Sequence, residues 1–250
     1  MNTIKKVTLF CASIVLCFGF CGCSSDDDEN TNSSSNEKKL VKVVNDGNTT
    51  IFNYDKQGRL LTAEHKEGSF SSISFYTWSD NNDHVKVSNT YGDIYELNIV
   101  DGLARSGKVW YDGYTKNFGL SYENNRLASY DFGYDYKGSI TWGKNGISEA
   151  TILEGEIIYS GKSCKGYNPY MVYNVSTSPI EDLAVAQPRL FGLHVNQLPE
   201  KIKGDENDEV SFSYEFDKEG YLVKLTATYH GDYDKDYNDG ESEIYEYTWK

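Results

Sequence analysis

From Leu40 to the C-terminus, apolar and polar residues alternate in short runs separated by turn residues. Val210, Phe212, Tyr214 and Phe216 fall on one side of an extended chain, with Ser211, Ser213 and Glu215 on the other, the period-2 pattern of a half-buried strand. Tyr95, Leu97 and Ile99 against Glu96, Asn98 and Val100 repeat it, as do Phe118, Leu120 and Tyr122 against Ser121 and Glu123. Turn signals recur about every 8–12 residues, the spacing of many short antiparallel strands. Asp46-Gly47, Asp101-Gly102, Asp112-Gly113 and Asn145-Gly146 are the tight-hairpin dipeptides among them. The pattern predicts a meander of about fourteen strands. Right-handed twist accumulates across so many strands, so the expected fold is an all-β antiparallel meander curled into an open or closed barrel-like sheet.

One hairpin recurs. Phe52-Asn-Tyr-Asp-Lys-Gln-Gly-Arg-Leu-Leu61 returns as Tyr214-Glu-Phe-Asp-Lys-Glu-Gly-Tyr-Leu-Val223, and more loosely as Leu120 to Leu127 with Asn124-Asn125 in the turn. In the Asp-x-x-Gly turn the Asp side chain bonds its own backbone, and Gly58 or Gly220 supplies a positive φ. Trp78, Trp110 and Trp142 follow one another at a spacing of 32. About three strands fit between them, which puts neighbouring Trp residues at opposite ends of the sheet.

One segment breaks the alternation. Ser178 as a cap, Pro179 at the first helical position and Glu181 and Asp182 in the first turn predict one short helical insert over about 179–193. Pro188 stops or kinks it. Its apolar residues Ile180, Leu183, Ala184, Leu190, Phe191 and Leu193 need cover, and the mouth or concave face of the curled sheet is the available partner.

The first residues carry an address. Lys5 and Lys6, the apolar run Val7–Phe20 and a small residue before Cys23 describe a cleaved export signal over residues 1–22. The site resembles a bacterial lipoprotein box with Cys23 as the lipidated residue, although Phe20 and Cys21 depart from its usual residues. Residues 23–38 then read as lipidated Cys and flexible tether, with a reach of roughly 20 Å, and residues 39–250 as a single all-β domain. The run Ser24, Ser25, Asp26, Asp27, Asp28, Glu29 resembles the surface-export signal of lipoproteins in Bacteroidota-type Gram-negative bacteria, which implies a lipid-anchored protein of the outer membrane facing the cell exterior.

Charge and cysteines narrow the chemistry. The formal net charge is −14, and it becomes more negative when Lys5 and Lys6 leave with the signal. Such a chain repels nucleic acid and anionic lipid, so its contact with the membrane is through the anchor only, and a glycan or protein ligand is expected to be neutral or cationic. Cys11, Cys17, Cys21 and Cys23 are lost or lipidated and Cys164 alone stays a thiol, leaving no disulfide to support the core.

Taken together, the acidic leader, the repeated hairpins, the lone apolar insert, Leu198-Pro-Glu-Lys-Ile202 and the closing hairpin resemble a family of Bacteroidales lipoproteins described as having a porin-like fold. The likeness covers nearly the whole mature chain. That family carries no established activity or functional residues, so the resemblance implies a fold and no site. A barrel that spans the membrane needs strands of about 9–11 residues with an apolar outer band. Here Lys86, Lys108, Glu123, Lys224 and Glu246 stand in mid-run.

Two candidate sites are legible. The hairpin over 210–229 brings the acidic segments 204–209 and 231–243 to one end, and Asp205, Asp208, Asp232, Asp234, Asp236 and Asp239 form a candidate calcium site of oxygen ligands. Asp234, Asp236 and Asn238 match half of an EF-hand loop, but Gly240 falls one place late and Tyr245 replaces the bidentate Glu. A solvated rim is the competing reading. Tyr130, Phe132, Tyr134 and Tyr136 alternate with Asp131, Gly133 and Asp135, a face that would stack a sugar or serve as cross-strand packing. Gly161-Lys-Ser163 lacks the first Gly of a phosphate loop, no Gly-x-Ser-x-Gly or His-Glu-x-x-His occurs, and His65, His84, His194 and His230 are scattered. The reading is a binding or structural module of the cell envelope, with a glycan-cleaving hydrolase or a calcium-stabilised adhesin as alternatives.

Overall fold

The structure, a computed structural model, describes residues 37–250 apart from 91, 93, 112, 133–136, 152, 154, 177–179, 205–207 and 232–238. Sixteen strands follow one another. The first eleven are β1 (Leu40–Asn45), β2 (Asn48–Tyr54), β3 (Leu60–Glu67), β4 (Phe70–Trp78), β5 (His84–Asn89), β6 (Ile94–Val100), β7 (Leu103–Tyr111), β8 (Tyr114–Glu123), β9 (Arg126–Asp131), β10 (Lys137–Gly143) and β11 (Gly146–Ala150). After β12 (Glu156–Ser163) comes the helical insert, then β13 (Gln197–Lys203), β14 (Glu209–Phe216), β15 (Leu222–His230) and β16 (Ser242–Trp249). Each strand pairs antiparallel with the next, except β11 and β12, and β1 pairs with β16. The result is a nearly closed barrel whose one seam lies between β11 and β12. Tyr159 reaches across that seam, its hydroxyl donating to the Ile147 carbonyl at 2.9 Å.

The chain enters at one end, here called the base, and β1 turns at Asp46-Gly47 at the other, the mouth. The three related hairpin turns all lie at the base. Asp55 Oδ1 accepts from Gln57 N and Arg59 N at 2.9 Å each, Asp217 Oδ1 from Glu219 N and Tyr221 N at 2.9 and 3.0 Å, and Gly58 and Gly220 take φ of 80° and 91°. Asn124 and Asn125 hold φ of 50° and 60°, the double left-handed step of a type I′ turn.

The hairpins belong to a larger unit. The Tyr before each turn donates to a carbonyl of the preceding strand: Tyr54 to Leu40, Tyr122 to Ala104 and Tyr214 to Pro199. A Trp from the following strand donates to the Leu just after the turn, Trp78 to Leu60 at 2.8 Å, Trp142 to Leu127 at 2.7 Å and Trp249 to Leu222 at 2.6 Å. The even spacing therefore does not mark the repeat. Trp249 is its third member, while Trp110 sits at the mouth, opposite Trp78 and Trp142, as strand counting requires.

The insert enters and leaves through the base and fills the barrel. It holds α1 (Pro169–Val175), α2 (Glu181–Ala186) and a 3-10 turn over Pro188–Phe191. The expected helix is present in α2 and the turn, whereas α1 is additional. The expected cap at Ser178 and Pro179 lies outside the described residues, and Ile180 flanks α2 instead. Met171, Val172, Leu183 and Phe191 have no exposed surface. Burial of such side chains is worth about 1.5–3 kcal/mol each, so the barrel encloses a core rather than a channel. Polar ties fix the insert: Gln187 Oε1 accepts from Leu60 N at 3.1 Å, and the Tyr167 hydroxyl donates to the Val185 carbonyl. Cys164 is buried and its thiol is pushed up to about 12 by burial, a packing residue rather than a nucleophile.

Candidate functional site

The site grows from the alternation of β2 and β3. Phe52 and Ala63 are buried cross-strand partners, so Thr50 and His65, two residues further on each strand and also paired, face inward as well. Thr50 Oγ1 lies 2.9 Å from His65 Nδ1, and His65 Nε2 lies 2.8 Å from Asp182 Oδ2 in the first turn of α2. Asp182 accepts the Nε2 proton, which leaves Nδ1 to accept the Thr50 hydroxyl in neutral His65 or to donate to its oxygen in the cation. The hydrogen bond that His65 donates to Asp182 raises the His65 pKa, against the opposing effect of burial.

This array lies in a pocket of 410 Å³ at the mouth, between the ends of β1–β4, β16 and the two helices. That volume falls within the range of about 300–1,000 Å³ typical of small-molecule sites. Phe52, Tyr170, Tyr245 and Tyr247 form aromatic walls, with Phe70 and Tyr173 exposed at the rim. Tyr170 stands edge-on to Tyr245 with centroids 5.2 Å apart, which holds that wall in place. Glu181 also lines the pocket, its pKa pushed up to about 7 by burial and then by the neighbouring Asp182 charge, while Tyr173 and His65 act in the opposite sense. The Tyr247 hydroxyl is buried and finds no hydrogen-bond partner among the described residues.

The acidic segments border the same mouth. Glu209 pairs with His230, so the described ends of the two segments adjoin. Of the six candidate calcium ligands, Asp208 and Asp239 are described, and Asp239 Oδ1 accepts from Gly231 N at 3.2 Å. Asp205, Asp232, Asp234 and Asp236 lie outside the described residues, as do Cys23, the export run Ser24, Ser25, Asp26, Asp27, Asp28, Glu29, and the rings of Tyr134 and Tyr136. Among the described residues no group of three or more His, Cys, Asp or Glu is placed to hold a metal ion. Tyr130 and Phe132 are buried and point inward, with Phe132 4.8 Å from Phe118 and the Tyr130 ring covering Gly138. These two rings are core packing and present no open face to a sugar.

His65, Glu181 and Asp182 were missed as site residues by the sequence reading. Period-2 alternation in β2 and β3 carries the signal for Thr50 and His65, but nothing local announces that α2 brings its acids against them.

No family model and no curated protein matches the chain. Solved structures do. A porin-like protein from Bacteroides uniformis ATCC 8492 superposes with a TM-score of 0.60 at 17% identity, over 85% of this chain and 95% of that one. A second, from Bacteroides vulgatus ATCC 8482, gives 0.52 at 14% identity over 86% and 99%. The fold is thus shared with proteins of little sequence likeness, and this chain has the porin-like fold of those Bacteroides proteins.

Proposed function

We propose that the chain is a lipid-anchored, surface-exposed binding module of the outer membrane, without catalytic machinery, that holds a small ligand in the mouth pocket. One observation carries this reading: the barrel interior is filled by its own insert, while a pocket stays open at the end away from where the chain enters. The outer face supports anchoring over spanning. Thr77, Lys86, Glu96, Lys108 and Asn117 stand in register across β4 to β8 on the outward side, and a Lys at a bilayer midplane costs about 2–4 kcal/mol.

Location and binding are tested separately. Cys23→Ser is expected to release the protein from membranes, and alanine at Asp26, Asp27 and Asp28 to leave it anchored but shielded from protease added to whole cells. Equal protease access in both forms would remove the surface assignment. For binding, a panel of sugars, amines and acids is screened by thermal shift on the parent and on Ser72→Trp, which fills the pocket from β4. Parent and variant responding alike would mean that the pocket is not the ligand site.

A further inference from the structure

Resting on that pocket reading, we propose that the mouth pocket takes a small organic cation, an alkylammonium whose head meets Glu181 and Asp182 and whose apolar body lies against Tyr170, Tyr245 and Tyr247. The charge of the lining points this way. Its acids are Glu67, Glu181 and Asp182, against His65 and Lys66. The two bases are already engaged, His65 with Asp182 at 2.8 Å and Lys66 with Glu64 at 3.0 Å. With His65 and Asp182 offsetting each other and Lys66 held by Glu64, Glu67 and Glu181 are the carboxyls an anion would meet. A neutral ligand would take water from Glu181 and return no charge, a cost that grows as that carboxyl ionises above pH 7.

The walls discriminate further. Their aromatic faces suit an apolar body, so an alkylammonium uses them where a bare inorganic cation does not. The Glu243 carboxylate accepts from Tyr229 and Tyr245 at 2.9 and 2.7 Å, placing a further negative charge beside the same wall. Asp208, Glu209 and Asp239 lie at the same end, and such a field raises the local concentration of cations.

The site also responds to pH. Glu181 is faced by Asp182 on its own helix, by Tyr173 from α1, by His65, Lys66 and Glu67 from β3, and by Tyr245 and Tyr247 from β16. Deprotonation of Glu181 near pH 7 and of His65 both make the pocket more negative, so cation affinity rises with pH.

The test is calorimetric titration of the mature lipidated chain in neutral detergent with three probes of equal length: pentylammonium, pentan-1-ol and pentanoate. Pentylammonium is expected to bind at least about tenfold tighter than the alcohol, and pentanoate not at all. With Glu181 titrating near 7 and its protonated form binding about tenfold more weakly, affinity should rise about fivefold from pH 6 to pH 8. Glu181→Gln, isosteric and checked for folding by its melting curve, should lose about tenfold and flatten that rise. Asp182→Asn should also weaken the amine, and Ser72→Trp should abolish binding. If the alcohol binds as well as the amine, or Glu181→Gln leaves amine affinity unchanged, the cation assignment is wrong while the pocket stands. If none of the three probes binds, or if binding survives Ser72→Trp, the pocket reading itself fails.

Discussion

Gly192 is where the insert docks against the barrel, and replacing it separates two kinds of backbone strain. It ends the 3-10 turn at φ 60°, and a Cβ there would overlap the Asn125 carbonyl oxygen in the turn between β8 and β9 and sit 3.0 Å from Arg126 Cα at the start of β9. Gly220 has a comparable φ of 91°, but its nearest neighbour to a new Cβ is Lys165 Cβ at an ordinary 3.7 Å. Alanine at either position carries a left-handed penalty of about 1 kcal/mol. At Gly192 the clash with backbone adds about 1–3 kcal/mol of overpacking, because the neighbour is a turn and not a flexible side chain. Gly192→Ala should therefore lose about 2–4 kcal/mol and Gly220→Ala about 1 kcal/mol. In a domain of this size each kcal/mol lowers Tm by roughly 2–4 °C. Calorimetric melting of both variants, with urea unfolding to check the slope, measures the difference. Equal losses would refute the docking of the insert on the β8–β9 turn.

Three further outcomes are expected. Glu181 has a folded pKa of about 7 against an ordinary 4.5, so the native state holds its proton longer than the unfolded chain and stability falls as pH rises between those values; Glu181→Gln should remove that fall and melt higher than the parent at pH 8, and an unchanged pH profile would mean the carboxyl is not buried. Trp249→Phe keeps a ring but removes the donor to the Leu222 carbonyl at 2.6 Å, with an expected loss of about 1–3 kcal/mol in urea unfolding; no measurable loss would dismiss the Trp as a structural element of the repeat. For the acidic segments the expectation is plain screening, with melting raised equally by calcium and sodium at matched ionic strength; an extra gain in calcium, about 2.7 kcal/mol at a hundredfold excess over Kd, lost in Asp234→Asn/Asp236→Asn, would instead establish an ion site.

Features set by neighbours in the chain were legible. The Asp55 and Asp217 turns, the Asn124-Asn125 turn and the inward row Tyr95, Leu97, Ile99 follow from residues within a few positions of one another. The start of α2 at Glu181 matches the acids expected in a first helical turn. α1 was not legible, because Tyr170 to Val175 is a short run rich in aromatic and β-branched residues that reads equally as a strand. Its one helical signal is Asn168-Pro169. Tyr130 and Phe132 show the same limit from the other side: alternation says they share a face, but not whether that face meets water.

The sequence by itself determined a long antiparallel meander, the places where it turns, and an apolar insert that needed cover, since these depend on backbone preference and period. The tertiary structure alone decided that β1 closes on β16, that the insert fills the interior, and that Asp182 meets His65 across 117 positions of chain. The physical reason is that burial and electrostatics are properties of neighbours in space. Glu181 is an ordinary helix-start acid in the sequence, and it becomes a carboxyl titrating near pH 7 because strands from both ends of the chain close around it.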